Sequence, residues 1–109
     1  MTRKLQVHGR FWLTLDGHNF LGRGRVELLQ RIAQTGSISQ AAKAMKMSYK
    51  AAWDAVDAMN SAWGEPLVES HPGGSVLTGD AEQLIAAYLE AEANHSVFMA
   101  ALGKTLPTK

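Results

Sequence analysis

Apolar and polar residues alternate along positions 5–21, LQVHGRFWLTLDGHNFL, and the alternation reverses at Asp16-Gly17. A period of two marks half-buried strands, and Asp-Gly supplies the positive-φ pair that a two-residue turn needs. A β-hairpin is therefore predicted, with strands over residues 11–15 and 18–21. Gly22-Arg23-Gly24-Arg25 breaks the alternation. From about residue 25 to 35 the spacing becomes helical, with Leu28, Leu29, Ile32 and Ala33 on one apolar face and Gly36 as the C-cap.

Residues 37–60, SISQAAKAMKMSYKAAWDAVDAMN, carry two short helical patterns separated only by Lys46-Met47. Ser37 and Gln40 form an S-x-x-Q capping box for the first helix, and Ser48 is an N-cap for the second. Ala41, Ala42 and Ala44 permit close approach of the two helices, while Met45, Met47, Val56 and Met59 supply apolar contacts. The second helix places Ala52, Val56, Met59 and Trp63 on its predicted buried side. Two helices joined by so tight a turn form a helix-turn-helix, which presents the N-terminal residues of its second helix to a DNA major groove.

Gly64 and Pro66 stop that helix. Leu67-Val68-Glu69, a turn at His71-Pro72-Gly73-Gly74, and Ser75-Val76-Leu77 predict a second short hairpin, which in this position is a wing. Thr78 caps a last helix running to about Leu102, with Ala81, Leu84, Ile85, Tyr88, Ala91, His95, Phe98, Met99 and Leu102 near one stripe. Gly103 and Pro107 end it. Such a helix is about 36 Å long, more than so small a domain covers on one side. Its far half is expected to pack against a second copy, with Leu84, Tyr88, Phe98 and Leu102 as dimerisation residues. The expected fold class is α+β, mainly α: one winged helix-turn-helix domain over 1–109. It divides into an N-terminal hairpin (1–23), a first helix with the helix-turn-helix (24–62), a wing (66–78) and a long C-terminal dimerisation helix (79–103).

Composition narrows the function. A chain of 109 residues fits one domain but not a binding domain plus a separate sensor. The absence of cysteine excludes disulfides, thiol catalysis and thiolate metal sites. No apolar run approaches the roughly 18 residues of a membrane span, and no signal-peptide pattern opens the chain, so a soluble cytoplasmic protein is expected. The charge is segregated. Nine lysines and arginines stand against Asp16 and Glu27 in residues 1–50, whereas Lys104 and Lys109 face eight acidic residues in 51–109. A basic half that contains a helix-turn-helix is the electrostatic footprint of a DNA-binding module.

Several other chemistries fail on spacing. Gly22-x-Gly24 lacks the third glycine of a dinucleotide fingerprint, since position 27 is Glu27. His8, His18, His71 and His95 show no ligand pairing, so no metal site is expected. No nucleophile–base grouping or carboxylate pair emerges, and neither an enzyme nor a cofactor is expected.

The stretch GSISQAAKAMKMSYKAAWDAVDAMN, followed by LVE, a glycine turn and VLT, resembles the N-terminal DNA-binding domain of the molybdate-responsive ModE transcription regulators and, more distantly, the winged helix of LysR-type regulators. SYK-x-AWDA-x-x-x-MN, from Ser48 to Asn60, is far more specific than a generic helix-turn-helix. The resemblance implies a dimeric winged helix-turn-helix that binds double-stranded DNA at an inverted-repeat operator, with Ser48, Tyr49, Lys50 and Trp53 on the recognition helix. Full-length ModE proteins carry C-terminal molybdate-binding domains. This chain ends soon after the long helix, so no molybdate site is expected within it. The wing departs from a charged pattern, having no Lys or Arg between Leu67 and Thr78.

Within that frame Lys50 is placed to reach guanine O6/N7 or a phosphate. Ser48 and Tyr49 offer hydroxyls to phosphates or base edges, though Ser48 also serves as a cap. Trp53 either touches the DNA or packs on the wing. Asp54 and Asp57 are expected to pair with Arg or Lys. Lys43, Lys46 and Arg31 are candidate phosphate contacts, joined by Arg23 and Arg25. The alternative is a protein-interaction module in which the winged helix has lost DNA binding, a reading that the wing's lack of Lys and Arg and the two aspartates favour.

Overall fold

The computed structural model describes residues 3–107 and orders them as two small hairpins and four helices. Strands β1 (Leu13–Leu15) and β2 (His18–Leu21) pair antiparallel, with a register shift between Leu13 and Thr14. Asp16 and Gly17 turn the chain at φ 51° and 81°, the pair of positive angles required by the tight turn. The first strand is shorter than its alternation predicts. Phe11 leaves the hairpin and stacks on Tyr88, with ring centroids 5.1 Å apart, and also meets His95. Burial against a distant helix outweighs two more residues of an edge strand.

Helix α1 (Arg23–Thr35) starts two residues before the predicted position and ends at Gly36, which adopts the left-handed conformation at φ 71°. Its core face is Val26, Leu28, Leu29 and Ile32. Ala33, expected on that face, is exposed in the last turn of the helix, and Val26 at its start takes part in the core face instead. Ser37 caps α2 (Ile38–Ala44) by accepting the Gln40 amide at 3.1 Å. The capping box is completed differently from its prediction: the Ser37 amide donates to Thr35 Oγ1 at 3.3 Å, so the last residue of α1 replaces Gln40 in the reciprocal bond. Lys46, at φ 56°, reverses the chain into α3 (Tyr49–Trp63), and Ser48 caps that helix through the Ala51 amide at 3.0 Å.

Ile38, Ala41, Ala42, Ala52, Val56 and Met59 join the α1 face in one core. Trp63 does not. Its ring stacks on Phe20 at 5.9 Å while its Nε1 donates to Asp80 at 2.8 Å, so it stays 36% exposed at the junction of α3, the first hairpin and the last helix. The indole hydrogen bond to the half-buried Asp80 carboxylate holds the ring at the rim.

Strands β3 (Val68–His71) and β4 (Gly74–Leu77) form the wing. The wing meets the end of α1 at the Gly36 carbonyl. The Ser75 amide donates to Gly36 O at 2.9 Å, and Gly74 lies so close that a Cβ there would sit 2.5 Å from the same carbonyl oxygen. Gly74 also has φ 137°, where a side chain is strained. Gly74→Ala is thus expected to cost about 2 kcal/mol from strain and displacement of the wing. Denaturant unfolding, with exchange of the Ser75 amide as the local probe, measures it; an unchanged midpoint and an unchanged Ser75 protection would show that the contact carries no weight.

Helix α4 (Gly79–Gly103) is capped by Thr78, whose side chain accepts the Ala81 amide, and carries Asp80 and Glu82 in its first turn. Near its start Ala81 is buried and Leu84 and Ile85 pack against the core, while Tyr88 is covered by Phe11. Beyond this the helix leaves the core, and the molecule extends to 60 Å along its longest axis. Val97 is 70% and Phe98 60% exposed, with Leu89 and Leu102 also exposed. Apolar residues therefore occur on several sides of α4, among exposed Glu90, Asn94 and Ser96, although only one side meets its own chain. No helix is long and apolar enough to cross a membrane.

Candidate nucleic-acid interface

The geometry of the α2–α3 pair follows from three short-range devices: the Ser37 cap, the Lys46 reversal and the Ser48 cap. With Ala52, Val56 and Met59 buried, the opposite side of α3 is fixed outward, and it carries Lys50, Asp54 and Asp57. Tyr49, in the first turn, is 56% exposed and meets Trp53 edge-on at 6.2 Å. Trp53 is half-buried and packs against the core, so its ring supports Tyr49 from behind. Ser48 Oγ is occupied by the Ala51 amide, which makes the cap its structural role.

Lys50 Nζ lies 2.9 Å from Asp54 Oδ2, one helical turn away, with both side chains largely in solvent. Asp54 thus meets the expectation of pairing with a cation; among the described residues Asp57 has no ion-pair partner. An exposed pair of this kind adds little to stability and is weakened by salt. It lies on the outward face of α3, across its first two turns.

Lys43, on the last turn of α2, and Lys46, in the reversal, are both exposed and flank the start of α3. The other predicted phosphate contacts are engaged elsewhere. Arg31 reaches Glu27 at 3.5 Å. Arg25 donates to Phe20 O at 2.9 Å and so ties α1 to the first hairpin. Arg23 meets Glu92 at 3.3 Å and links α1 to α4. The basic charge of the N-terminal half is therefore partly answered by the acidic half, and what stays open beside α3 is Lys43 and Lys46.

Asn60 was not singled out by sequence reasoning. From the end of α3 its Oδ1 accepts the amides of Leu67 at 2.8 Å and Val68 at 3.3 Å, while its Nδ2 donates to Val68 O at 3.3 Å. One half-buried side chain thereby fixes the wing to the recognition helix. Asn60 closes the motif that carries the resemblance, but an amide residue four positions before the Gly64 C-cap is too common to identify the clamp. At the wing tip His71 lies 3.8 Å from Glu69.

Tyr88, expected at a dimer surface, is buried within its own chain. Desolvation and then the Glu92 carboxylate raise its phenol above the ordinary value, with Arg23 acting in the opposite direction. It forms part of an open concavity of about 890 Å³ with Arg10, Phe11, Trp12, Arg23 and His95. No residue of α2 or α3 lines it. Among the described residues no three His, Asp or Glu side chains are grouped for metal binding.

Residues 24–82 match the family model of the bacterial regulatory helix-turn-helix proteins of the lysR family. The molybdenum-pterin-binding protein MopB of Rhodobacter capsulatus is 46% identical over 91 residues, covering 79% of this chain and 34% of the relative. The transcriptional regulator ModE of Haemophilus influenzae is 45% identical over 84 residues, covering 71% and 33%. The chain thus spans about a third of the length of the curated relatives it matches. The solved OxyR of Corynebacterium glutamicum superposes with a TM-score of 0.57 at 18% identity, over 71% of this chain and 24% of that one, a likeness of fold.

Proposed function

We propose that this chain, which belongs to the lysR family of bacterial regulatory helix-turn-helix proteins, is the DNA-reading part of a ModE-like transcription regulator that binds an inverted repeat as a homodimer. One observation carries the reading: the first turn of α3 is fixed outward by the burial of Ala52, Val56 and Met59, and shows Tyr49 and Lys50 to solvent. Helices mounted in this way enter the major groove N-terminus first. Tyr49 and Lys50 are the readout residues, Trp53 buttresses Tyr49, and Ser48 holds the helix start. Lys43 and Lys46 contact phosphates, with Arg31 joining them if it leaves Glu27.

The far half of α4 supports the homodimer. Leu89, Val97, Phe98 and Leu102 are exposed on a helix whose other side already meets its own chain. Large apolar side chains gathered on an exposed helix end mark a surface that another protein covers. A two-fold axis through paired α4 helices makes the interface self-complementary and carries two α3 helices to successive major grooves, roughly 34 Å apart. The names of the relatives, molybdenum-pterin-binding protein and ModE, support genes of molybdenum handling as the regulated set.

Selection from a random duplex pool tests the whole reading, because an enriched palindrome would give binding, symmetry and half-site spacing together. An unenriched pool would sink it in favour of a protein-interaction module. On the selected operator, Lys50→Ala is expected to cost roughly 1–3 kcal/mol of specific binding. Log K should fall with log salt at a slope near −0.9 per phosphate neutralised, and Lys43→Ala or Lys46→Ala should each flatten it by about one. Fluorescence anisotropy across a salt series reads both effects; a slope near zero would remove the electrostatic part.

A further inference from the structure

We infer that Lys50 and Asp54 act together as one base-reading unit, specific for a G·C pair, with Asp54 a specificity-determining residue. The inference rests on the DNA-binding reading above. The two side chains share the outward face of α3, one in its first turn and one a turn further, opposite buried Ala52 and Val56. Their tips are already together, with Nζ and Oδ2 2.9 Å apart and the side chains 84% and 63% exposed. The surface therefore offers a donor beside an acceptor.

The major-groove edge of a G·C pair presents the complement. Guanine O6 accepts and cytosine N4 donates, and these two atoms are joined by a base-pair hydrogen bond of about 2.9 Å, the ordinary length. An ammonium on O6/N7 and a carboxylate on N4–H match that edge atom for atom. Each tip can do so without breaking the ion pair, since an ammonium has three donors and a carboxylate about four lone-pair sites. In an A·T pair the same two positions hold a donor and an acceptor in the opposite order. With the pair held in that register, the ammonium would face adenine N6–H₂ and the carboxylate thymine O4, and both contacts repel. On a T·A pair the O4/N6 order matches, but the thymine methyl stands where guanine has N7, so the ammonium loses one of its two acceptors and discrimination there rests on N7.

The pair also explains a carboxylate on a DNA-facing helix. Against phosphate alone Asp54 is unfavourable, and it occupies Lys50, so it lowers affinity for every duplex except one with the matching edge. Specificity arises from this penalty as much as from the contact.

Pool selection with the wild type, Asp54→Ala, Lys50→Ala and the double variant tests the assignment, followed by anisotropy titrations on the operator and on an unrelated duplex. The wild type should enrich a G·C pair at one fixed position of each half-site, and Asp54→Ala should lose that preference while binding the unrelated duplex more tightly. Discrimination between operator and unrelated duplex is expected to fall about tenfold in Asp54→Ala. Because the two residues form one unit, the double variant should discriminate no worse than Lys50→Ala alone. Enrichment of A·T or of no base at that position, an unchanged discrimination ratio, or losses that multiply in the double variant would each overturn the unit. A wild type that binds no duplex specifically would instead overturn the DNA-binding reading itself, and is distinguished by being seen before any variant is used.

Discussion

Phe98→Glu is expected to turn the protein into a monomer and to weaken binding to the inverted repeat by about 100- to 1000-fold, with half-site affinity unchanged. The size follows from avidity: once one half of a dimer is bound, the second half binds as an intramolecular event, worth roughly 10² to 10⁴ in affinity without any new contact. Phe98 is 60% exposed and lies outside the core, so the substitution removes little packing within its own chain, and exposed changes of this kind stay within about 0.5 kcal/mol of folding stability. A carboxylate placed between two α4 helices would instead be buried without a partner, a penalty that association cannot offset. Light scattering gives the mass, and titrations on full and half operators give the two affinities. A Phe98→Glu protein that stays dimeric would move the interface away from the far half of α4. A wild type that is monomeric when bound to the full operator would remove the homodimer altogether.

The second large effect is expected at Asn60, where alanine should cost about 3 kcal/mol of folding free energy. Its carboxamide takes the amides of Leu67 and Val68 and returns a hydrogen bond to Val68 O, and both of those residues are buried. Losing the side chain leaves donors and an acceptor to seek water in a site that admits little, at roughly 1–3 kcal/mol per unsatisfied group. Asn60→Asp is the informative companion. It keeps the two accepted amide bonds and loses the donated one, so it should recover more than half of the alanine loss at neutral pH. Urea unfolding of both variants measures this. If alanine and aspartate prove equally stable, or alanine costs less than about 0.5 kcal/mol, the clamp has no energetic role. Footprinting should also show protection by α3 retained while protection by the wing is reduced, since the recognition helix keeps its core contacts at Ala52, Val56 and Met59.

Much of this architecture could be read from local sequence. Ser37, Ser48 and Thr78 are caps because a side-chain oxygen three residues before a free amide is a strictly local arrangement, and all three bonds form. Asp16-Gly17 and Gly36 adopt the positive φ angles that their residue types favour. The resemblance carried by Ser48 to Asn60 likewise agrees with the family that residues 24–82 match. The misjudged positions depend on partners far along the chain. Phe11 is drawn from its strand by Tyr88 and His95, and Trp63 is held at the rim by Phe20 and Asp80. Periodicity assigned both to faces of their own elements and could not register those pulls. Tyr88 was assigned outward for the same reason, since Phe11, which covers it, lies 77 positions away.

Charge was legible as a total but not as a surface. Counting placed an excess of cations in the first half of the chain, yet Arg23, Arg25 and Arg31 are held by Glu92, the Phe20 carbonyl and Glu27. The Lys50–Asp54 pair lay within reach of sequence reasoning, because a spacing of four on a helix brings such residues together. The Asn60 clamp did not, since its partners lie past a helix stop and in another element.

The three tryptophans give the protein a built-in set of optical reporters. Trp53, leaning edge-on against Tyr49, sits on the helix proposed to read DNA; Trp63, bonded to Asp80, sits where three elements meet; Trp12, bonded to Asn19, sits on the first hairpin. Replacing any two by phenylalanine leaves one emitter. Occupancy of the groove, integrity of the junction and fraying of the hairpin can then be followed separately, without attaching a dye.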